Sequence, residues 1–193
     1  MTENEFIAYW MKEYPESLPI KHELKWVYPN RWFRIHSLPE SKRYAESAKE
    51  YNIILDRQNQ LIDDLIEEGT EIAISFGLYV MEGTNDSYKE LTEFGEFQKV
   101  LSIDLHKEKP GDYEEGQFFD IFVKIEKWKK NGHNEMLKAI ADDEIRAMFV
   151  SPLGSCIVAP YDGGVDIIVD STEKRDRLKA KYKNWLSDRE DGM

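Results

Sequence analysis

The sequence predicts an α+β fold, a mostly antiparallel sheet of five to seven strands with helices packed against it. Three observations predict it. Residues of about 45–68 repeat their apolar side chains at helical spacing, and a second such helix spans about 171–187. Between them lie several short runs rich in β-branched and aromatic residues, bounded by Gly, Pro, Asn and Asp. Asp162-Gly163-Gly164, between two of these runs, can supply the positive φ angles of a tight hairpin turn.

Taken in order, Thr2 caps a first helix that runs to about Tyr14, with Phe6, Ile7, Trp10 and Met11 on one face. Pro15 and Pro19 end it. Two short strands are expected next, Lys21–Val27 and Arg31–His36, about the turn Tyr28-Pro29-Asn30. In the second, Trp32 alternates against Phe33 and Ile35, so both faces are expected to be partly covered. Pro39 biases Leu38 away from helix and makes the next few residues a loop. The long helix sets Tyr51, Ile54, Leu55, Gln58, Leu61, Ile62, Leu65 and Ile66 at helical spacing, and Gly69 stops it.

Glu71–Val80 reads as a central strand and Gly83–Gly95 as a polar excursion. Lys99–His106 alternates like a half-buried strand, Lys109-Pro110-Gly111-Asp112 is turn chemistry, and Phe118–Trp128 is another strand. Asn134 is the expected cap of a short helix, Glu135 to about Asp142. Strands Arg146–Ser151, Ser155–Pro160 and Val165–Val169 follow. Asp170 or Ser171 caps the last helix, whose Leu178, Tyr182, Trp185 and Leu186 form one stripe. No repeat, low-complexity run or linker divides the chain, so residues 1–193 read as a single domain.

Five Trp, ten Tyr and nine Phe are costly to leave in water, so the chain folds around a core rather than staying disordered. No apolar run approaches the ~18 residues that cross a bilayer, and no membrane partner is expected. Met1-Thr2-Glu3-Asn4-Glu5 is acidic where a secretory signal would be basic, and Cys156, the single cysteine, cannot form an internal disulfide. A cytoplasmic protein is expected. The net charge of −12 is uneven: residues 1–20 carry −3, 21–43 carry +4, 44–172 carry −15 and 173–193 carry +2. The acidic middle repels polyphosphates, which argues against nucleic acid, and favours a basic protein partner. A solvated surface that keeps the protein soluble is the plainer account of the same charge.

Two patches carry the candidate chemistry. From Trp26 to Tyr44 the chain interleaves Arg31, Arg34, His36, Lys42 and Arg43 with Trp26, Tyr28, Trp32, Phe33 and Tyr44. Guanidinium groups beside aromatic faces can stack bases or clamp phosphates, and the loop entering the long helix could aim backbone N–H groups at an anion. Otherwise Trp26, Trp32, Phe33 and Ile35 are core and the arginines pair with surplus carboxylates. Glu40-Ser41-Lys42 matches half of a metal-dependent nuclease signature, but the first aspartate is Asp56, beyond the motif, so the upstream metal ligand is missing.

The second patch is Pro160–Asp166, where Asp162, Asp166 and Asp170 recur every fourth residue. Hard cations bind such carboxylates, but the ligand density of a calcium loop is absent. The simpler account gives Asp162 to a turn, Asp166 to a strand edge and Asp170 to a helix cap. His22, His36, His106 and His133 are scattered, with no pair at zinc spacing. Cys156 sits in an apolar run as a small buried hydrophobe. Neither a Gly-x-Ser-x-Gly elbow nor a Gly-rich phosphate loop occurs, so no catalytic residue, metal or cofactor is assigned.

The stretch Arg31–Tyr44, containing Glu40-Ser41-Lys42-Arg43-Tyr44, and the stretches Pro160–Asp166 and Arg175–Ser187, ending in Trp185-Leu186-Ser187, resemble a family of uncharacterised bacterial proteins. That resemblance implies a bacterial source and no particular activity. In size, acidity and lack of motifs the chain is also similar to immunity proteins that neutralise bacterial toxins. Those present an acidic face to a basic enzyme.

The expected function is therefore an acidic protein-binding module of immunity type. Its contacts are expected at Glu82, Asp86, Glu90, Glu93, Glu96, Asp112, Glu114 and Glu115, with Glu67 and Glu68 nearby in the sequence. The rival is an enzyme or small-ligand binder that takes a phosphorylated or nucleotide ligand through Arg31, Arg34, His36, Lys42 and Arg43. Homo-oligomerisation through an exposed strand edge is a third expectation.

Overall fold

The computed structural model of the chain describes residues 1–84, 92–189 and 192. Helix α1 spans Glu3–Glu13, α2 Leu24–Val27, α3 Ala48–Leu65, α4 Leu105–Glu108, α5 Asn134–Ala141 and α6 Thr172–Lys181. Strands are β1 Trp32–His36, β2 Glu71–Met81, β3 Gln98–Asp104, β4 Gln117–Lys127, β5 Ala147–Ser151, β6 Cys156–Tyr161 and β7 Gly164–Ile168. They form one sheet of order β1-β7-β6-β5-β2-β4-β3, and every neighbouring pair is antiparallel. The α+β architecture read from the sequence is present, at the upper end of the expected strand number.

The sheet carries a core on each face. On one face Ile72, Ile74 and Phe76 of β2, Phe149 of β5 and Val158 of β6 meet Leu61, Ile62 and Leu65 of α3, Leu137 and Ile140 of α5 and Leu178 of α6. On the other, Ala73, Met148, Val150, Ile157 and Ile121 meet Phe6 and Trp10 of α1, Tyr14 just after it and Leu24 of α2. Alternate residues of one strand thus serve opposite cores, which is why β5 is buried at every position rather than at every second one. Burying each large apolar side chain is worth roughly 1.5–3 kcal/mol. The two layers of helix therefore supply the main hold on the sheet.

Local signals start α3 and α6 close to where those helices are expected. The Ser47 hydroxyl accepts from the Glu50 N–H to open α3, and the Ser171 hydroxyl accepts from the Lys174 N–H to open α6. Two glycines are required by close approach. A Cβ on Gly164 would lie 2.1 Å from the Ile35 carbonyl oxygen, so only glycine lets β1 pair there, and one on Gly77 would meet the Phe119 ring at 2.1 Å.

Several boundaries differ from the expectation. Lys21–Val27 is no strand but a turn followed by α2, because Leu24 and Tyr28, four apart, are the buried pair while Trp26 stays 66% exposed. The alternation of Lys99–His106 ends at Asp104, whose carboxylate accepts from the Lys107 N–H and turns the last residues into α4. His133 rather than Asn134 precedes α5, because the Asn134 side-chain oxygen accepts from Asn59 instead. The long helix ends at Leu65, and Gly69 takes its positive φ in the turn beyond. Thr172–Lys181 passes into a short 3₁₀ turn at Lys183–Trp185 rather than continuing as helix. Neither Gly163 nor Gly164 adopts positive φ, so the β6–β7 turn uses glycine for space rather than for handedness.

Candidate functional site

The antiparallel pairing of β1 with β7 sets Arg34 directly across from Asp166 and so joins the two patches singled out in the sequence. Arg34 Nε and Nη2 donate to Asp166 Oδ1 and Oδ2 at 2.8 and 2.9 Å, and Trp32 Nε1 donates to Oδ1 at 2.9 Å. Both side chains of the pair are only 13% exposed. A short loop away, Arg43 Nε pairs with the buried carboxylate of Asp162. Lys42 Nζ holds Glu50 at 2.6 Å and Glu46 at 3.0 Å. The Arg31 guanidinium lies over the Tyr28 ring at 4.5 Å. His36 Nε2 is buried without a hydrogen-bond partner, and burial together with Arg34 lowers the imidazole pKa.

An incoming phosphate would therefore compete with carboxylates for Arg34, Lys42 and Arg43. Trp32 and Phe33 do line a cleft of about 230 Å³ between β1 and α6, with Arg34, Arg175 and Lys179 on its walls. Trp26 and Tyr44 point to solvent, each with a cation over its ring, Lys25 at 4.8 Å and Arg43 at 5.3 Å.

The expected acidic contacts divide differently. Asp86 and Glu90 lie outside the described residues. Glu82, Glu93, Glu96, Asp112, Glu114 and Glu115 are all exposed. Glu82 follows β2, and its N–H donates to the Gly116 carbonyl at 2.8 Å, which brings it beside the Glu114-Glu115 turn that leads into β4. Glu93 and Glu96 sit elsewhere, flanking Phe94 and Phe97, whose rings pack on Phe76. Bases from the two ends of the chain do reach carboxylates of the acidic middle: Arg34 to Asp166, Arg43 to Asp162, Lys174 to Asp170 and Lys181 to Asp64. Among the described residues none of them reaches Glu82, Asp112, Glu114 or Glu115.

Sequence reasoning missed Lys21, Ser75 and Arg146. They come from the loop before α2, from β2 and from the residue before β5, and together they line a recess over the sheet face that α1 and α2 cover. No short-range pattern links three single residues so far apart in the chain. It also missed Asp120, buried on β4, where Ser102 Oγ and Lys99 Nζ each donate to it at 2.5 Å. Among the described residues no group of three or more His, Cys, Asp or Glu is arranged to hold a metal ion, and no helix is long and apolar enough to cross a membrane.

Comparison with known proteins adds one likeness. The family model described as a domain of unknown function, DUF3885, matches residues 20–190. No curated protein and no solved structure matches.

Proposed function

Given that the chain belongs to the DUF3885 family, a domain of unknown function, we propose that it is an acidic protein-binding module that docks a basic protein. Glu82, Glu114 and Glu115, with Asp112 beside them, form the centre of the docking face. The observation that carries this reading is that the bases pairing with the acidic middle stop short of these four carboxylates among the described residues. Exposed charge of one sign speeds encounter with an oppositely charged partner and is screened beyond about 8–10 Å at ordinary salt. In its finer form the reading is a bacterial immunity-type protein, and the partner is a basic toxin enzyme held inactive in a one-to-one complex.

The test compares wild type with the Glu82→Gln, Glu114→Gln, Glu115→Gln triple variant as bait in bacterial lysate. A basic protein retained by wild type at ~50 mM salt, released by ~500 mM salt and not retained by the variant is the expected result. Its purified activity should fall to zero at one equivalent of bait. Equal retention by the variant, or retention that salt leaves unchanged, refutes the docking face.

A second reading rests on the cleft beside Trp32. A phosphorylated or nucleotide ligand stacked on that indole would draw Arg34 away from Asp166. Stabilisation by a nucleotide in a thermal-shift screen, lost in Lys179→Ala, would favour it over the docking face.

A further inference from the structure

We propose that the recess beside Lys21 is a carboxylate-binding site. Its walls are Pro19, Tyr79, Phe119 and Met148, and its polar lining is Lys21, Ser75 and Arg146, with His22 alongside. Two independent features point to an anion as its occupant.

The first is the Lys21 ammonium. It donates to the Pro160 carbonyl at 2.9 Å, a neutral partner. The acids nearest in its field are Asp166, Asp143 and Asp162, with Arg146 opposing them. Asp166 is already held by Arg34 through two hydrogen bonds, and Asp162 by Arg43. Asp143 faces Arg146 at 4.0 Å. The half-buried cation has no ion-pair partner among the described residues, which favours a counter-charge beside it.

The second is Ser75. Its side chain is 2% exposed and its hydroxyl is buried with no hydrogen-bond partner. It sits on β2 between Ala73 and Gly77, so it lies on the same sheet face as the recess. An orphaned buried donor is rare and marks a place where a group is expected.

The lining selects the anion. Pro19, Phe119 and Met148 make part of the wall apolar, so a carboxylate, which carries a carbon end, matches it better than a phosphate, which is polar on every side. One oxygen takes the Ser75 hydroxyl and the Lys21 ammonium, the other faces Arg146, and Phe119, Met148 and Pro19 accept the ligand's carbon end. The overall charge of −12 disfavours free anions, which makes local cations the deciding feature.

The test titrates the full-length chain with acetate and, separately, with inorganic phosphate at constant ionic strength, reading the Lys21 side-chain NMR signal. Acetate should shift that signal saturably and raise the Lys21 titration midpoint by about one unit, the linkage counterpart of about tenfold tighter binding to the charged lysine. Ser75→Ala and Arg146→Gln should each weaken acetate by about tenfold while the fold, read by circular dichroism, is unchanged. An unmoved Lys21 signal overturns the site. So does wild-type acetate affinity in both variants. Binding of phosphate but not acetate overturns the carboxylate assignment.

Discussion

Replacing Arg34 by Met tests whether the pairing of the two sequence patches holds the edge of the sheet. Arg34 and Asp166 are each 13% exposed and joined by two hydrogen bonds. Removing one partner of a buried pair strands the other's charge and costs about 3–5 kcal/mol. The residual exposure, and the Trp32 indole that still donates to Asp166, place the expected loss near the lower figure, about 3 kcal/mol. In a chain of this length that is a fall in Tm of about 6–12 °C. Arg34→Met with Asp166→Leu removes both charges, so the double variant should be more stable than Arg34→Met alone. Urea unfolding followed by tryptophan fluorescence gives all corners of the cycle. A loss below about 1 kcal/mol for Arg34→Met, or a double variant no more stable than it, would show that the pair is an incidental surface contact.

Three further outcomes follow from the geometry. Burial holds the Lys21 pKa down to about 8 against an unfolded value of about 10.4, with Arg146 adding to the depression and Asp166, Asp143 and Asp162 opposing it. The unfolded state then binds more protons across that window, so stability relative to Lys21→Met rises by about 1 kcal/mol per unit between pH 8 and pH 10; parallel urea midpoints for the two proteins would refute the burial. Gly164→Ala drives a Cβ into the Ile35 carbonyl and should lose about 1–3 kcal/mol, more than Gly163→Ala, whose new atom meets only the Tyr161 ring at 3.0 Å; equal urea midpoints would mean that β1 shifts freely. Burial pushes the Cys156 thiol up to about 12, so a thiol reagent at pH 8 should modify it only as fast as the chain unfolds, and prompt labelling of native protein would contradict its place in the core.

What the sequence shows of this molecule follows the range of the interactions. The α3 stripe and the caps Thr2 and Ser171 depend on residues three or four apart, which periodicity exposes. Leu24 and Tyr28 obey the same rule, yet neighbouring Trp26 and Val27 disguise them as a strand, and the Leu24 side chain, buried by contacts from distant strands, decides the matter. Strand pairing lies further off. Nothing local says that β1 joins β7, yet that register alone brings Arg34 to Asp166. The composition at 26–44 is legible as basic and aromatic, and pairing of its arginines with carboxylates is one of the two expectations, whereas which carboxylates they meet is not legible. Lys21 is the extreme case, since its surroundings come from β2, β5 and the turn after α5.

The matched family segment begins at Ile20, whereas α1 ends at Glu13 and still delivers Phe6, Trp10 and Tyr14 to the sheet. Three such rings cover ~150–250 Å² each, as much apolar area as the largest patch a soluble monomer normally shows. A gene trimmed to the shared boundaries would encode a sheet with one side stripped of its cladding. Such a fragment should be recovered in inclusion bodies, because the rings that clad that face lie ahead of the matched segment.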